Sequence, residues 1–290
     1  MGATSAVIAS NKNRFLDSPR NADWTIDQQW DTYSAEEHDR WDRLFKSQQT
    51  ILPGRACTSF LEAVGTLKLS SAGIPNMERL SDRLEKITGW RVVPVTDLVP
   101  DDIFFDHLAN RRFPAGAFIR PEEEFDYLKE PDIFHDIFGH VPLLANPVYA
   151  KFMEAYGKGG QRALELGQLH NLARLYWYTV EFGLMRSEQG LRIFGAGILS
   201  SPQESVFSLE DASPNRVAFD LERIMCTKHI IDNFQQTYFV IDSFEQLLES
   251  CYADFTDVYE HVKDRADIEA HAIMPDDNVL HRGTHAYFDK

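Results

Sequence analysis

Cysteine is scarce in this chain, and that scarcity sets the first limit. The three, Cys57, Cys226 and Cys251, are odd in number and widely spaced. They fit neither a disulfide framework nor a zinc knuckle, and read as reduced thiols in a cytoplasmic protein. Positive charge is also short, with 29 Lys plus Arg against 45 Asp plus Glu, a formal charge of −16. An acidic surface repels phosphate backbones and anionic lipid, so neither nucleic acid nor a membrane surface is expected as a partner. No apolar run reaches the ~20 residues of a membrane span. The opening residues have no charged region ahead of their short apolar stretch, unlike a secretory signal, and Met1-Gly2 followed by Ala6 is a poor myristoylation signal. Internal repeats, low-complexity tracts and a G-x-S-x-G elbow are missing as well.

What is present is a chain that can fold. Of 290 residues, 43% are hydrophobic and 12% aromatic, enough for a large core. Ser34 and Glu37 form a capping box ahead of an apolar stripe of Trp41, Leu44 and Phe45. Further helices are expected from Thr58 to Leu69, from Asn76 to Gly89 and from Pro100 to Leu108. Residues 92–95 read as a short strand broken by Pro94, and 111–120 as β-like with a turn at Pro114 and Gly116. A helix from Pro131 is expected to stop at Gly139 and Pro142. Others fit Pro147–Tyr156, Gly160–Gly167 and Asn171–Arg186, with Tyr156 to Gly160 a helix-breaking loop. Residues 191–201 read as strand and turn, 214–231 as a helix, 237–244 as a strand, and a last helix starts at Phe244. The reading is one mostly helical domain with a few short strands.

The sharpest feature is the run from Glu130 to Leu144, EPDIFHDIFGHVPLL. His135 and His140 are five apart, and on an ideal α-helix that spacing turns ~140°, too far for the rings to share a face. A helix ending between them, with Gly139 freeing the backbone, lets His140 swing back. Unlike H-E-x-x-H, the spacing puts no Glu beside the first His, which argues against a zinc protease. Glu181, set among Trp177, Phe182, Leu184 and Met185, is the candidate third ligand. A carboxylate in apolar company costs several kcal/mol unless a positive group meets it. Two imidazoles and one carboxylate make the facial triad of non-haem iron(II) oxygenases. Zinc hydrolases also use such sets, so ligand types alone leave the metal open. Taken alone, each His also reads as a helix-end cap, and Glu181 as a solvated helical residue.

The runs PDIFHDIFGHVPLL, ARLYWYTVEFGL and FGAGILSS, in that order, resemble the pterin-dependent aromatic amino acid hydroxylases, over about Trp24 to Phe255. The resemblance is nearest to bacterial members that act on phenylalanine. It implies a single catalytic domain, α+β and predominantly α-helical, a helical basket with a small β-element around a non-haem iron site. The small, polar, aperiodic start reads as a loose N-terminal segment over 1–20 and the polar end as a loosely attached C-terminal tail over 264–290, leaving the catalytic domain over 21–263. The iron(II) ligands the resemblance implies are His135, His140 and Glu181, which the residues themselves had suggested. Phe104 matches the ring that stacks on a tetrahydrobiopterin or related tetrahydropterin, Asp97 and Leu98 the loop that meets the pterin edge. Asp136 and Tyr176 match positions near the cofactor. On the substrate side, Arg120 matches the arginine that holds the amino acid carboxylate, and Trp177 and Ser200 match pocket-lining positions. Without the resemblance, Phe104, Tyr176 and Trp177 would read as core aromatics, Arg120 as a surface residue and Ser200 as a turn former.

The activity implied is hydroxylation of L-phenylalanine to L-tyrosine with O2. Tryptophan or tyrosine hydroxylation is the alternative within the family; a zinc-dependent hydrolase and an acidic helical scaffold are those outside it. Ile231 stands where tyrosine hydroxylases carry an acidic residue, which favours phenylalanine. Leu128 replaces a Thr that helps bind the substrate carboxylate in animal members, and Pro114 replaces a His near the pterin. Room for the animal regulatory domain and tetramer helix is lacking. A monomer is therefore implied, served by a pterin carbinolamine dehydratase and a dihydropteridine reductase.

Overall fold

The computed structural model describes residues 13–125, 130–251 and 255–288. Leu128 therefore lies outside the described residues. The chain begins with α1 (Ala35–Ile51), α2 (Thr58–Thr66) and α3 (Met77–Thr88). The capping box expected at the start of α1 is present, with Ser34 accepting from the Glu37 amide and Glu37 from the Ser34 amide. Asn76 caps α3, and Gly89 ends it in the left-handed conformation.

A two-stranded parallel sheet follows, β1 (Arg91–Val95) and β2 (Arg112–Gly116), joined through α4 (Asp101–Ala109). No turn forms at Pro114 and Gly116. The strand runs straight through both, and Pro114 sits opposite Val93 in the register. With only two strands, each has a free edge where proline's missing N–H is tolerated.

Next come α5 (Pro147–Leu166), α6 (Leu169–Tyr176), β3 (Leu184–Ser187), β4 (Gly190–Ile193), α7 (Ala196–Leu199) and α8 (Pro202–Glu210). The expected break near Gly160 is absent, because α5 is one continuous helix. A Cβ on Gly160 would lie 2.0 Å from the Phe105 ring, so the glycine lets α4 pack onto α5. The remainder is β5 (Asn215–Ala218), α9 (Leu221–Met225), β6 (Thr237–Ile241), α10 (Phe244–Ser250), α11 (Thr256–Val262) and β7 (Val279–His281). The helix expected over 214–231 is thus a strand followed by one short helix.

Five strands form a mixed sheet in the order β4-β3-β6-β5-β7. The tail expected to hang loose supplies β7, antiparallel to β5, and Phe288 packs against Phe207. At the other end Phe15 is buried beside Tyr33, and Asn13 donates to the Thr96 carbonyl, so the anchored chain starts ahead of residue 21. The fold is α+β and mostly helical. Its core brings the α1 stripe against the segment that carries the histidines: Trp41 meets Phe134 edge-on, and Phe45 meets Phe138. Among the described residues, no helix is long and apolar enough to cross a membrane.

Candidate metal centre and its cavity

The helix that bears the histidines does not stop between them. From His135 to His140 it widens into a π-helix, then tightens into a 3-10 turn over Val141–Ala145. In a π-helix the hydrogen bond closes at i+5 rather than i+4, so residues five apart stack on one face. That is how His135 and His140 come together. Gly139 serves a different purpose from the one expected: a Cβ there would lie 2.9 Å from the Ala196 carbonyl oxygen, so the glycine admits α7 against this turn. Glu181 ends a second π-helix, Trp177–Glu181, which continues α6 and stops before the residues of β3.

The three side chains converge. His140 Nε2 lies 3.1 Å from His135 Nε2 and 3.1 Å from Glu181 Oε1, while His135 Nε2 lies 3.5 Å from Glu181 Oε2. Their ligand atoms all fall within 4.8 Å of one another. Burial alone would raise the Glu181 pKa, but the two imidazoles outweigh it and hold the carboxyl far below its usual range. Burial depresses the His135 pKa, and the Glu181 charge overcomes this and raises it. Three lone-pair donors meeting in a buried pocket need a shared positive charge.

Ser200 prepares one of them. Its hydroxyl donates to the Ala196 carbonyl at 2.8 Å, so at 2.9 Å from His135 Nδ1 it accepts that ring's proton. The network therefore leaves His135 Nε2 as a bare donor aimed at the centre, the tautomer a metal requires. The residues fit a divalent ion with open positions.

These ligands form the floor of a cavity of about 240 Å³, which Asp97, Leu98, Phe104, Asp136 and Tyr176 also line. Phe104 stands edge-on to Tyr176 at 5.7 Å, and Tyr176 lies 6.1 Å from the His140 ring. Leu98 is 72% exposed at the mouth. Asp136 is tied to β2, accepting from the Gly116 amide at 2.7 Å, and burial pushes its pKa up to about 6. Burial and the nearby Glu181 keep the Tyr176 phenol protonated. A larger depression, lined by Asp23, Gln28, Trp30, Glu78 and Arg91 among others, contains none of these groups.

Arg120, Trp177 and Ser200 are not among the residues that line the smaller cavity. Arg120 is buried, not a surface residue, and its Nε and Nη2 each donate to Asp132 at 2.8 Å. Asp132 also accepts from the Arg120 and His135 amides. The sequence reading missed Asp132, although its position three residues before His135 is a helix-cap signal. Trp177 donates its indole N–H to the buried Gln235 at 2.9 Å. Gln235 was also missed, and nothing in its local sequence marks it. Ile231 is 75% exposed on the loop before Gln235, outside the cavity lining.

With this geometry in hand, the chain can be compared with known proteins. The family model for biopterin-dependent aromatic amino acid hydroxylases matches residues 25–265. The phenylalanine-4-hydroxylase of Caulobacter vibrioides is 59% identical over 265 residues, 91% of this chain and 90% of that protein. The phenylalanine-4-hydroxylase of Chromobacterium violaceum is 52% identical, over 95% of this chain and 93% of that protein. A crystal structure of the latter enzyme with bound oxidised Fe(III) aligns with TM-score 0.88 and 54% identity, covering 90% of this chain and 96% of that one. Two π turns bearing a His-His-Glu set, and a family match spanning both, lead to one conclusion: this chain belongs to the biopterin-dependent aromatic amino acid hydroxylases.

Proposed function

We propose that this chain hydroxylates L-phenylalanine to L-tyrosine, using O2, a tetrahydropterin and an iron(II) ion held by His135, His140 and Glu181. The observation that carries the reading is the meeting of these three donors on the floor of a cavity that Phe104 also lines. Relatives named for this activity, at more than half identity over nine-tenths of the chain, give the substrate. When bound, the metal and the pterin supply the redox chemistry that activates oxygen.

The chain's own share is placement and exclusion of water. Phe104 offers a face for the pterin ring, with Asp97 and Leu98 at its edge and Asp136 and Tyr176 beside it. Ser200 holds the His135 ring in the tautomer a metal needs. Trp177 borders the substrate ring. Arg120 takes the substrate carboxylate through Nη1, the guanidinium nitrogen that Asp132 leaves unengaged. The catalytic unit spans 21–263, with Asn13 and Phe15 packed onto it from ahead and the segment from 264 completing the sheet. On the same reading the enzyme is a cytoplasmic monomer, and a pterin carbinolamine dehydratase and a dihydropteridine reductase restore its cofactor.

The test is metal analysis, followed by oxygen uptake and product analysis on the iron-loaded protein. It is offered phenylalanine, tyrosine and tryptophan in competition, with a tetrahydropterin. Tyrosine formed from phenylalanine is the expected product. Full zinc occupancy, with no oxygen uptake after iron loading, would overturn the reading in favour of a hydrolase.

A further inference from the structure

Gln235 is 1% exposed, and every polar group of its side chain is engaged. Its Oε1 accepts from the Trp177 indole at 2.9 Å. Its Nε2 donates to the Ile230 carbonyl at 2.8 Å and to the Asn233 carbonyl at 3.4 Å. With both amide hydrogens directed at carbonyls, the oxygen has one orientation left, toward the indole. The Gln235 backbone N–H points to Glu204 Oε1 at 3.4 Å, and Glu204 also accepts from the Tyr238 hydroxyl at 2.7 Å. The Gln235 backbone is therefore tied to Glu204 of α8, which Tyr238 of β6 also engages.

The loop that Gln235 anchors wraps the same indole. The His229 ring lies 4.6 Å from Trp177 at an interplanar angle of 32°, and Phe182 lies 4.8 Å from it. Lys228 is held at the loop's start by the Tyr178 hydroxyl at 2.5 Å. Trp177 opens the π turn that ends at Glu181. One buried amide thus joins an aromatic residue on the ligand-bearing turn to a loop whose tip, Ile231, is solvent-exposed.

We propose that Gln235 is a positioning residue for the aromatic substrate: by bonding the Trp177 indole and the Ile230 and Asn233 carbonyls together, it sets the ring face the substrate meets and the loop beside it. The proposal rests on the reading that Trp177 borders the substrate ring. A hydrogen bond acting only on ring placement changes how phenylalanine is held, and leaves pterin and metal binding alone. When the substrate ring is loosely held, oxidising equivalents are spent without hydroxylation, so tyrosine formed per pterin oxidised falls.

The experiment uses the full chain, iron-loaded, with a tetrahydropterin, and compares the parent with Gln235→Leu, Trp177→Phe and the double variant. Each single change should raise KM for phenylalanine about three- to tenfold, the scale of one neutral hydrogen bond. In Gln235→Leu coupling should fall, while the rate of pterin oxidation, KM for the pterin and iron affinity stay within about twofold. The double variant should lose less than the sum of the two single changes, because both remove the same indole–amide bond. In the metal-free protein, hydrogen exchange over 229–236 should quicken in Gln235→Leu and less in Trp177→Phe, which keeps the carbonyl contacts. Parental KM and coupling in folded Gln235→Leu, or additive effects in the double variant, would overturn the proposal. Should Gln235→Leu fail to fold, Trp177→Phe decides, since it leaves the buried amide in place: an unchanged KM overturns the assignment. A parent that forms no tyrosine sinks the substrate reading itself. A parent that does, with Gln235→Leu indistinguishable from it, sinks the Gln235 assignment alone.

Discussion

The metal wall of the site and the wall assigned to the substrate differ in what holds each side chain. On the metal wall, His135, His140 and Glu181 point at one another, and their shared partner is a positive charge. On the wall assigned to the substrate, each side chain already has a protein partner: Arg120 has Asp132, which leaves only Nη1 over, and Trp177 has Gln235. The first wall is organised around what binds, and the second is braced by the protein itself, with Arg120 Nη1 left for what binds. A substitution on the metal wall should therefore register in metal affinity, and one on the substrate wall in stability or in KM.

The strongest challenge to that contrast is Glu181→Gln. The amide keeps the shape and loses the charge that offsets the ion. Iron affinity should fall by more than the ~100-fold that loss of an outer partner costs, and product formation should nearly cease. Titration calorimetry with iron(II) reads the first and product analysis the second. A variant that holds iron like the parent would remove Glu181 from the ligand set.

Asp132→Ala attacks the other wall. It leaves Arg120 buried without its partner, so urea unfolding should show a loss of roughly 3–5 kcal/mol. A loss below ~1 kcal/mol would mean the pair behaves like a solvated surface bridge.

Ser200→Ala probes the seam between the walls, since Ser200 touches His135 but carries no charge. Iron affinity should drop about 10- to 100-fold with little change in melting temperature. If the melting temperature falls and iron affinity does not, Ser200 is a packing residue.

The smallest effect concerns Glu204, behind Gln235. Burial pushes its pKa from 4.5 up to about 7, against the pull of Tyr238 and the Gln235 amide. Because the folded pKa lies above the unfolded one, this group's contribution is full below pH 4.5 and fades as pH rises through 7. Glu204→Gln keeps an acceptor for Tyr238 and cannot ionise. It should gain roughly 1–3 kcal/mol over the parent at pH 8 and little at pH 5. Equal melting shifts at both pH values would show that the charge is not what matters there.

The sequence carried the metal wall almost whole. Two histidines five apart with Gly139 between them, and a carboxylate among aromatic residues, are chemically odd enough to stand out locally. What it hid was the means. Periodicity arguments assume 3.6 residues per turn, so the π turns at His135–His140 and Trp177–Glu181 read as a broken helix and an overlong one. The same rule read the glycines of α5 as a break, because a close approach by Phe105 leaves no trace near Gly160 in the chain. Short strands such as β5 and β7 were lost for a related reason, since three or four residues hold too little alternation to show. For Arg120 and Trp177, placed on the substrate side by family resemblance alone, the protein partners went unread. Asp132 was within reach as a helix cap, whereas Gln235 lies 58 positions from Trp177.

The two π turns bear on insertions and deletions as well as on ligand geometry. Each is a helix carrying one residue more than its α-helical register would hold. Deleting a single residue between His135 and His140 would restore the four-residue spacing of an ordinary helix and still leave two histidines on one face. It would also rotate and retract everything after them, beginning with Val141–Ala145 and the cap at Asn146 that starts α5. In this fold the distance between two ligands and the alignment of the whole downstream chain are the same variable. The length of that turn is therefore constrained as well as the identity of its ligands.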